Sequence, residues 1–367
     1  ALMPAIDRLA KLRAAMAAEG VDALLVTNLT NVRYLTGFSG SAAVLAVGIE
    51  LAALTTDGRY RTQAADEVER SGAASALELT IGGLDAQVEA LLGCFGSAKS
   101  VGLEADHLSW SAAERWRGRL EGRDVVATSD VVERLRLVKD SGELVLMAEA
   151  ARIADEALAD VLEVLGGARG PVTERAFAQV LDARMKALGA EDVAFETIVA
   201  AGENSARPHH HPGDREVRSG DPVVVDFGAK HLGYRSDMTR TFSIGGAPVG
   251  QLAEIFDTVL AAQRLGVAAV RPGATTVEVD AACRDHIAAA GYAEAFEHST
   301  GHGVGLDIHE APGVGAQEAT TLEPGMVVTV EPGIYLAGVG GVRIEDTLVV
   351  TETGSTPLTK FHKDVVL

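Results

Sequence analysis

The chain has 367 residues, 47% of them hydrophobic, which is enough for a large core and favours two domains. Acidic residues outnumber basic ones by 52 to 32, and the resulting net charge of -20 argues against nucleic acid or an anionic membrane as a partner, because both select basic surfaces. Cys94 and Cys283 are far apart in apolar surroundings, and neither a signal-peptide core nor a membrane-length apolar run occurs, so the sequence predicts a cytoplasmic protein.

Short apolar runs alternate with segments of helical periodicity through the first part of the chain. This alternation predicts an α/β domain over residues 1–135. The predicted strands are 22–27, 44–47, 51–56, 101–103 and 125–128, and the predicted helices are 6–19, 61–70 and 109–120. Residues 28–41 are similar to a ligand loop, but they are expected to be structural residues of the N-terminal domain that shape a substrate entrance in a dimer.

A new pattern begins at Asp140, which forms a predicted helix cap with Glu143 as its reciprocal acid. Helices are predicted at 144–165, 173–188, 252–270 and 276–290, and strands at 197–201, 222–229, 235–243, 326–331 and 342–351. The order repeats a helix pair followed by a hairpin. Residues 136–367 are therefore predicted to form an α+β domain of two similar halves, with helices packed on a curved antiparallel sheet.

Each predicted hairpin carries two acidic residues in apolar strands. Asp226 follows three valines and Asp237 lies on the returning strand, while Glu331 and Glu345 repeat the arrangement in the second half. Cross-strand neighbours are roughly 4.5–5.5 Å apart, so the acids of one hairpin can face each other. Contact with water at a strand end explains a single acid. Four acids in two matching hairpins are costly to bury unless they are paired or bind metal.

A glycine-rich stretch between the hairpins supplies three histidines, His298, His302 and His309. The adjoining glycines allow another group to approach the backbone closely, although a flexible surface loop is the alternative for this stretch alone. With the four acids, His302 completes a set of five ligands that suits two Mn²⁺, Co²⁺ or Zn²⁺ ions. Two such ions can activate water and stabilise the oxyanion of an attacked carbonyl.

Long motifs around these residues resemble the pita-bread metallopeptidases, a family that includes methionine aminopeptidase, aminopeptidase P and prolidase. The motifs are VVVDFG, YRSDMTRTF, HSTGHGVGLDIHE, VTVEPGIY and GGVRIEDT. Upstream, NVRYLTGFSGSAAVL and LTTDGRYRTQA are similar to the leading domain of Xaa-Pro peptidases. The resemblance implies a creatinase-like N-terminal domain over residues 1–135 and a pita-bread catalytic domain over residues 136–367.

The resemblance also implies how the five ligands are shared between the two ions. Asp226 would hold one ion, and His302 and Glu331 would hold the other. Asp237 and Glu345 would bridge the two ions, and Glu331 would also take a proton from the bridging water.

A Pro-His pair that ends in His209 matches a pair in the family whose histidine contacts the scissile amide. The resemblance therefore implies that role for His209. This sequence departs from the family in having His210 and His211 next, and both are expected to be solvated.

Three further residues take implied roles around the metal ions. His298 and His309 would handle substrate or protons, which requires imidazoles that are neutral or switchable near pH 7. Arg343 is expected to bind the carboxylate of a C-terminal proline, and the alternative is a salt bridge to one of the ligand carboxylates.

The sequence therefore predicts a dinuclear metallopeptidase that cleaves the bond between an N-terminal residue and proline. Xaa-Pro dipeptides are the predicted substrates, and aminopeptidase P action on longer peptides is the alternative. The predicted cofactors are two divalent ions, manganese before cobalt or zinc, and the resemblance implies a homodimer. Two hypotheses from other classes are a non-enzymatic pita-bread binding protein and a metal-free creatinase-like hydrolase. The complete acid set disfavours both.

Overall fold

A computed structural model describes residues 2–167, 170–317, 319–363 and 366–367. The chain divides into two units, the first ending at Arg136 and the second beginning at Leu137. The first unit contains α1 (Ala5–Ala18), β1 (Ala23–Val26), α2 (Leu29–Thr36), β2 (Val44–Val47), β3 (Ala52–Thr56), α3 (Arg61–Arg70), β4 (Glu78–Ile81), α4 (Leu84–Phe95), β5 (Ser100–Glu104), α5 (Trp110–Arg119), β6 (Asp124–Thr128) and α6 (Glu133–Arg136).

A six-stranded sheet in the order β4-β3-β2-β1-β5-β6 forms the centre of the first unit. β1 pairs parallel with β5 and antiparallel with β2, so the sheet is mixed. β1 is buried along its whole length, which explains its uninterrupted apolar sequence. Helix α4 packs on this sheet through Leu91 and Phe95. The α/β prediction for this part of the chain is confirmed.

Residues 28–41, predicted to be structural residues and not a ligand loop, contain the helix α2. Asn28 caps it by accepting a hydrogen bond from the Thr30 N–H at 3.0 Å, and Gly37 ends it with a φ of 78°. The prediction also omitted β4, which is short and partly exposed, and α4. β4 has four residues, too few for its alternation to stand out, whereas α4 has 12 residues and was missed for no structural reason.

The second unit begins with a predicted cap, since Asp140 and Glu143 form a capping box. Its elements are α7 (Ser141–Leu165), α8 (Glu174–Ala187), β7 (Asp192–Val193), β8 (Ile198–Ala201), β9 (Pro222–Phe227), β10 (Ala229–His231), β11 (Tyr234–Arg235), β12 (Met238–Ser243), α9 (Gln251–Ala269), α10 (Thr276–Ala289), β13 (Gly301–Gly303), β14 (Glu310–Val314), β15 (Val327–Val330), β16 (Gly333–Leu336), β17 (Gly340–Arg343), β18 (Asp346–Val350) and β19 (Ser355–Pro357). Among the described residues, no helix is both long and apolar enough to cross a membrane.

Two helix pairs cover two antiparallel sheets in the second unit. The sheets have the orders β12-β9-β8 and β14-β13-β15-β18-β19. α7 and α8 share a core with the first sheet around Phe177 and Phe227, and α9 and α10 share a core with the second around Ile255 and Leu348. The predicted α+β domain with two similar halves is confirmed, and each half buries its helices on one face of its sheet.

Candidate metal centre

Side-chain alternation along the strands directs the acidic residues away from the helices. Val225 and Phe227, which flank Asp226 in β9, belong to the core beneath α7 and α8. Asp226 therefore points to the opposite face of the sheet. Val330 in β15 belongs to the core beneath α9 and α10, so Glu331, the next residue, also points away from the helices. Both halves thus present carboxylates on the faces that the helices leave uncovered.

The hairpins differ from the prediction in two details. Asp226 pairs with Thr239 and not with Asp237, which precedes the first residue of β12. Glu345 lies in a break between β17 and β18, where one continuous strand was expected. In that break, the Glu345 N–H donates to the Thr239 carbonyl at 3.1 Å. This bond links the two halves directly behind the acidic cluster.

The structure brings together the five residues predicted as metal ligands. Asp237, His302 and Glu345 each offer a ligand atom, and these atoms lie within 4.8 Å of one another. His302 Nε2 is 3.5 Å from Asp237 Oδ2 and 3.3 Å from Glu331 Oε1. Asp226 lines the same cavity. Which ion each side chain binds stays a prediction.

His302 occupies the central residue of β13 between two close-packed glycines. A Cβ atom on Gly301 would meet the Thr329 carbonyl oxygen at 2.1 Å, and one on Gly303 would meet the Ala311 carbonyl oxygen at 2.3 Å. The expected close approach is therefore confirmed. The surface-loop alternative is wrong, because β13 is paired with β14 and β15.

The orientation of the His302 imidazole suits a metal ligand. Its Nδ1 donates to the Gly303 carbonyl at 3.0 Å, so the lone pair of the neutral ring lies on Nε2, the atom that faces Asp237 and Glu331. A backbone acceptor on the other ring nitrogen is the usual support of a metal-binding histidine.

Burial and mutual repulsion control the charges in the cluster. Burial raises the pKa of Asp237 and of Glu345 well above the usual range of carboxyl groups, and the neighbouring carboxylates add to the effect. Burial disfavours the imidazolium of His302, but the hydrogen bond to Glu331 and the charges of Glu331 and Asp237 raise its pKa to about 9. The same His302 contact lowers the pKa of Glu331 in spite of burial. Without a cation, the cluster relies on protons to limit its negative charge.

Two buried carboxylate oxygens, Asp226 Oδ1 and Glu345 Oε1, lack a hydrogen-bond partner among the described residues. The second oxygen of each group is engaged, because Asp226 Oδ2 accepts from Arg343 at 2.6 Å and Glu345 Oε2 accepts from Thr239 Oγ1 at 2.7 Å. An unpaired buried acceptor is costly, and a bound cation would satisfy it. The side chains present therefore fit divalent metal ions.

Arg343 is 3% exposed, and its guanidinium contacts groups within the protein. It donates to Asp226 Oδ2 at 2.6 Å, Tyr335 Oη at 2.8 Å, Thr239 Oγ1 at 3.2 Å and the Pro208 carbonyl at 3.3 Å. The contact with Asp226 is the salt bridge to a predicted metal ligand that the sequence left open as the alternative. Binding of a substrate carboxylate by Arg343 stays a prediction.

Tyr335 connects Arg343 to His298, and the sequence interpretation gave it no role although it shares a motif with Glu331. His298 Nδ1 donates to the Ser299 carbonyl at 2.8 Å, and burial lowers the pKa of this imidazole. Nε2 of the neutral ring therefore accepts from the Tyr335 hydroxyl at 2.8 Å. A tyrosine that bridges an arginine and a histidine leaves no pattern in the sequence by which it could be found.

Only one of the two histidines after His209 is solvated. The His211 side chain is 81% exposed, as predicted. The prediction is wrong for His210, whose side chain is 11% exposed and whose Nε2 donates to Glu174 Oε2 at 2.8 Å. Glu174 precedes His210 by 36 residues, so no local pattern announces this pair.

A cavity of about 280 Å³ opens onto the acidic cluster. His209, His298 and His309 line it, and Phe195, Ile198 and Ile308 add apolar surface. The His309 ring lies 4.3 Å from the ring of His302, and burial lowers its pKa. His298 and His309 are therefore neutral near pH 7, as their predicted roles require.

Acidic side chains from both halves of a pita-bread fold, gathered around one histidine, define a metal-dependent hydrolase. The family description Metallopeptidase family M24 matches residues 145–352, and Creatinase/Prolidase N-terminal domain matches residues 8–138. The chain belongs to metallopeptidase family M24 and is an enzyme that uses divalent metal ions.

Several relatives resemble the chain over nearly its whole length. The Xaa-Pro dipeptidase of Pyrococcus furiosus is 36% identical over 98% of this chain and 99% of its own. The solved structure of an Xaa-Pro dipeptidase from Bacillus anthracis is 39% identical with a TM-score of 0.92, and the match covers 99% of this chain and 100% of that one. An X-Pro aminopeptidase from Thermotoga maritima is 34% identical with a TM-score of 0.87, covering 98% and 99%.

Proposed function

We propose that the enzyme hydrolyses the peptide bond between an N-terminal residue and proline, with Xaa-Pro dipeptides as preferred substrates. The observation that carries the proposal is the buried cluster of carboxylates around His302, in which two oxygens have no partner among the described residues. The cluster borders a cavity that the neutral His298 and His309 also line. The names of the P. furiosus and B. anthracis relatives support the same substrate class.

The ligands in this proposal are Asp226, Asp237, His302, Glu331 and Glu345, which together hold two divalent ions. Ions bound there would lower the pKa of water and polarise the carbonyl of the substrate. Glu331, whose pKa is lowered, is a carboxylate at neutral pH and accepts the proton of the attacking water.

The histidines around the cavity act on the substrate. His209 contacts the scissile amide region, and His298 and His309 orient the substrate or transfer protons while their imidazoles are neutral. The nitrogen of an Xaa-Pro bond carries no hydrogen, so it cannot donate to the enzyme and has to gain a proton as it leaves. A neutral imidazole next to the scissile bond can relay this proton: it first accepts the proton that Glu331 takes from the attacking water and then, as imidazolium, donates it to the leaving nitrogen.

The size of the cavity favours small substrates. At about 280 Å³ it lies at the lower end of the roughly 300–1,000 Å³ typical of ligand pockets. The test is to compare kcat/KM for Xaa-Pro dipeptides, Xaa-Pro-Yaa tripeptides and Xaa-Ala dipeptides. Dipeptide preference supports the proposal, whereas equal or faster cleavage of tripeptides makes the enzyme an aminopeptidase P. The T. maritima relative, named an X-Pro aminopeptidase, supports that second candidate.

The remaining parts of the proposal are that the ions are manganese, that the enzyme is a homodimer, and that it is cytoplasmic. Elemental analysis of the active enzyme and sedimentation analysis test the first two. Chelation followed by addition of Mn²⁺ should abolish and restore hydrolysis. Activity that survives exhaustive chelation would instead favour a metal-free hydrolase, and no hydrolysis of any peptide would favour a binding protein.

A further inference from the structure

Glu174, a residue outside the metal cluster, is fully buried and accepts four hydrogen bonds from one segment. Its Oε1 accepts from the Ala201 N–H at 2.8 Å and from Asn204 Nδ2 at 2.9 Å. Its Oε2 accepts from His210 Nε2 at 2.8 Å and from the Gly213 N–H at 3.0 Å. All four donors lie in residues 201–213, which we call the His209 loop.

The anchor of the His209 loop is rigid and charged. Glu174 is the first residue of α8, and Phe177 and Leu181 fix this helix in the core. Burial acts to raise the pKa of Glu174, but the four donors lower it overall, so the group is a carboxylate that only accepts hydrogen bonds. Its position in the first turn of a helix also favours the negative charge.

The opposite side of the His209 loop is bound to the strand that carries Arg343. The Pro208 carbonyl accepts from Arg343 Nη1 at 3.3 Å, and Ser205 Oγ accepts from the Gly341 N–H at 2.8 Å. His209 follows Pro208, is exposed and lines the cavity. The backbone of the loop therefore sets where the His209 imidazole lies.

We propose that Glu174 is a positioning residue for His209, acting through its hydrogen bonds to Asn204, His210 and the loop backbone. The inference rests on the proposed function, because it assumes that His209 contacts the substrate. A glutamine at position 174 would keep the shape of the side chain. In either orientation its NH2 group would face one backbone N–H, that of Ala201 or that of Gly213, which cannot become an acceptor, so at least one of the four bonds would be lost.

A double-mutant cycle of Glu174→Gln and His209→Ala tests the proposal with Xaa-Pro dipeptides and metal-loaded enzyme. We expect Glu174→Gln to lower kcat by about tenfold to a hundredfold, the scale expected of a misplaced catalytic group, with KM changed much less. In the His209→Ala background, Glu174→Gln should lower kcat by less than about twofold, because both residues act through the His209 imidazole. Glu196→Gln is the matched control. Glu196 also contacts a histidine, His211, but the two side chains are 72% and 81% exposed, so Glu196→Gln should leave kcat unchanged.

Two further measurements keep the test decisive. His210→Ala removes one donor and leaves the backbone donors, so a smaller fall in kcat is expected even if Glu174→Gln folds poorly. Amide hydrogen exchange needs no turnover, and in Glu174→Gln it should become faster in residues 201–213 at unchanged metal content. Equal losses from Glu174→Gln with and without His209, or unchanged exchange in the loop, would overturn the proposal. A wild-type enzyme that cleaves no Xaa-Pro bond overturns the proposed function, and loop exchange then decides the positioning role alone.

Discussion

Removal of the divalent ions should make the folded enzyme less stable as the pH rises above 7. The groups responsible are the imidazole of His302 and the carboxyls of Asp237 and Glu345, which are 5% and 1% exposed. Burial raises the pKa of both carboxyls well above their values in the unfolded chain. Between those values the folded state binds more protons than the unfolded state, so the free energy of unfolding falls with pH.

The histidines of the site determine the pH window. His302 has a raised pKa of about 9, so its contribution is complete below the unfolded value of about 6.5 and is lost as the pH rises through 9. The lowered pKa values of His298 and His309 act in the opposite sense, but only below about pH 6.5. Above pH 7 the remaining shifts agree in sign.

The expected loss is large enough to measure. Each proton held by the folded state alone changes the free energy of unfolding by about 1.4 kcal/mol per pH unit. His302 by itself accounts for about 3 kcal/mol between its unfolded pKa and a folded pKa of about 9. Bound cations remove this dependence, because they hold the carboxylates ionised and the imidazole neutral.

Thermal unfolding of chelated and Mn²⁺-loaded enzyme at pH 7, 8 and 9 measures the effect. At a hundredfold excess of Mn²⁺ over its Kd, each bound ion adds about 2.7 kcal/mol to the free energy of unfolding, or about 5–11 °C in Tm for a unit of this size. Asp237→Asn should stabilise the chelated protein, flatten its pH dependence and lose most of the gain from Mn²⁺. Asp182→Asn is the control, because this half-buried carboxyl, whose pKa burial also raises, lies outside the cluster, and its change should leave the stability gained from Mn²⁺ intact. Chelated stability that is constant or rises from pH 7 to 9 would refute the reasoning.

Three further variants test other parts of the structure. Gly266→Ala should lower the free energy of unfolding, measured with denaturant, by about 1–3 kcal/mol, because the added Cβ atom would overlap Cys283 Sγ. A decrease below about 0.5 kcal/mol, the level of a surface substitution, would contradict this packing. Arg343→Ala should destabilise the chelated protein by about 3–5 kcal/mol, since it leaves the Asp226 charge unpaired, and unchanged stability would argue for a role with substrate alone. His209→Ala should lower kcat about a hundredfold while both metal ions are retained by elemental analysis, and metal loss would instead make this residue a ligand.

The acidic cluster could be predicted from the sequence because strands report which way each side chain points. Asp226 and Glu331 each follow a valine in a buried strand, and because successive side chains alternate, the acids point to the face opposite those valines. Helix boundaries were predictable where caps are strong, as at Asp140. Both patterns involve only neighbouring residues, so they can be recognised without knowledge of the fold.

Contacts between distant segments were not predictable. His210 was expected in solvent, yet its partner Glu174 lies on α8. The internal contacts of Arg343 depend on Asp226, more than a hundred residues away in the chain. The first pair forms because helix α8 lies next to the His209 loop, and the second forms because strand β9 lies next to β17. No spacing in the sequence encodes either arrangement.

The contacts of Arg343 change how any loss of activity at this residue must be interpreted. The Nη2 group of the guanidinium donates to Asp226 Oδ2, which leaves Oδ1 for a cation. The Nη1 group donates to the Tyr335 hydroxyl oxygen. The proton of that hydroxyl is therefore free to be donated to His298, which lines the cavity. A substitution of Arg343 therefore disturbs the metal side and the substrate side together, even if the guanidinium never contacts a peptide. A raised KM alone cannot identify a carboxylate anchor. Only a loss confined to substrates with a free C-terminal carboxylate, at full metal content, distinguishes that role from the structural one.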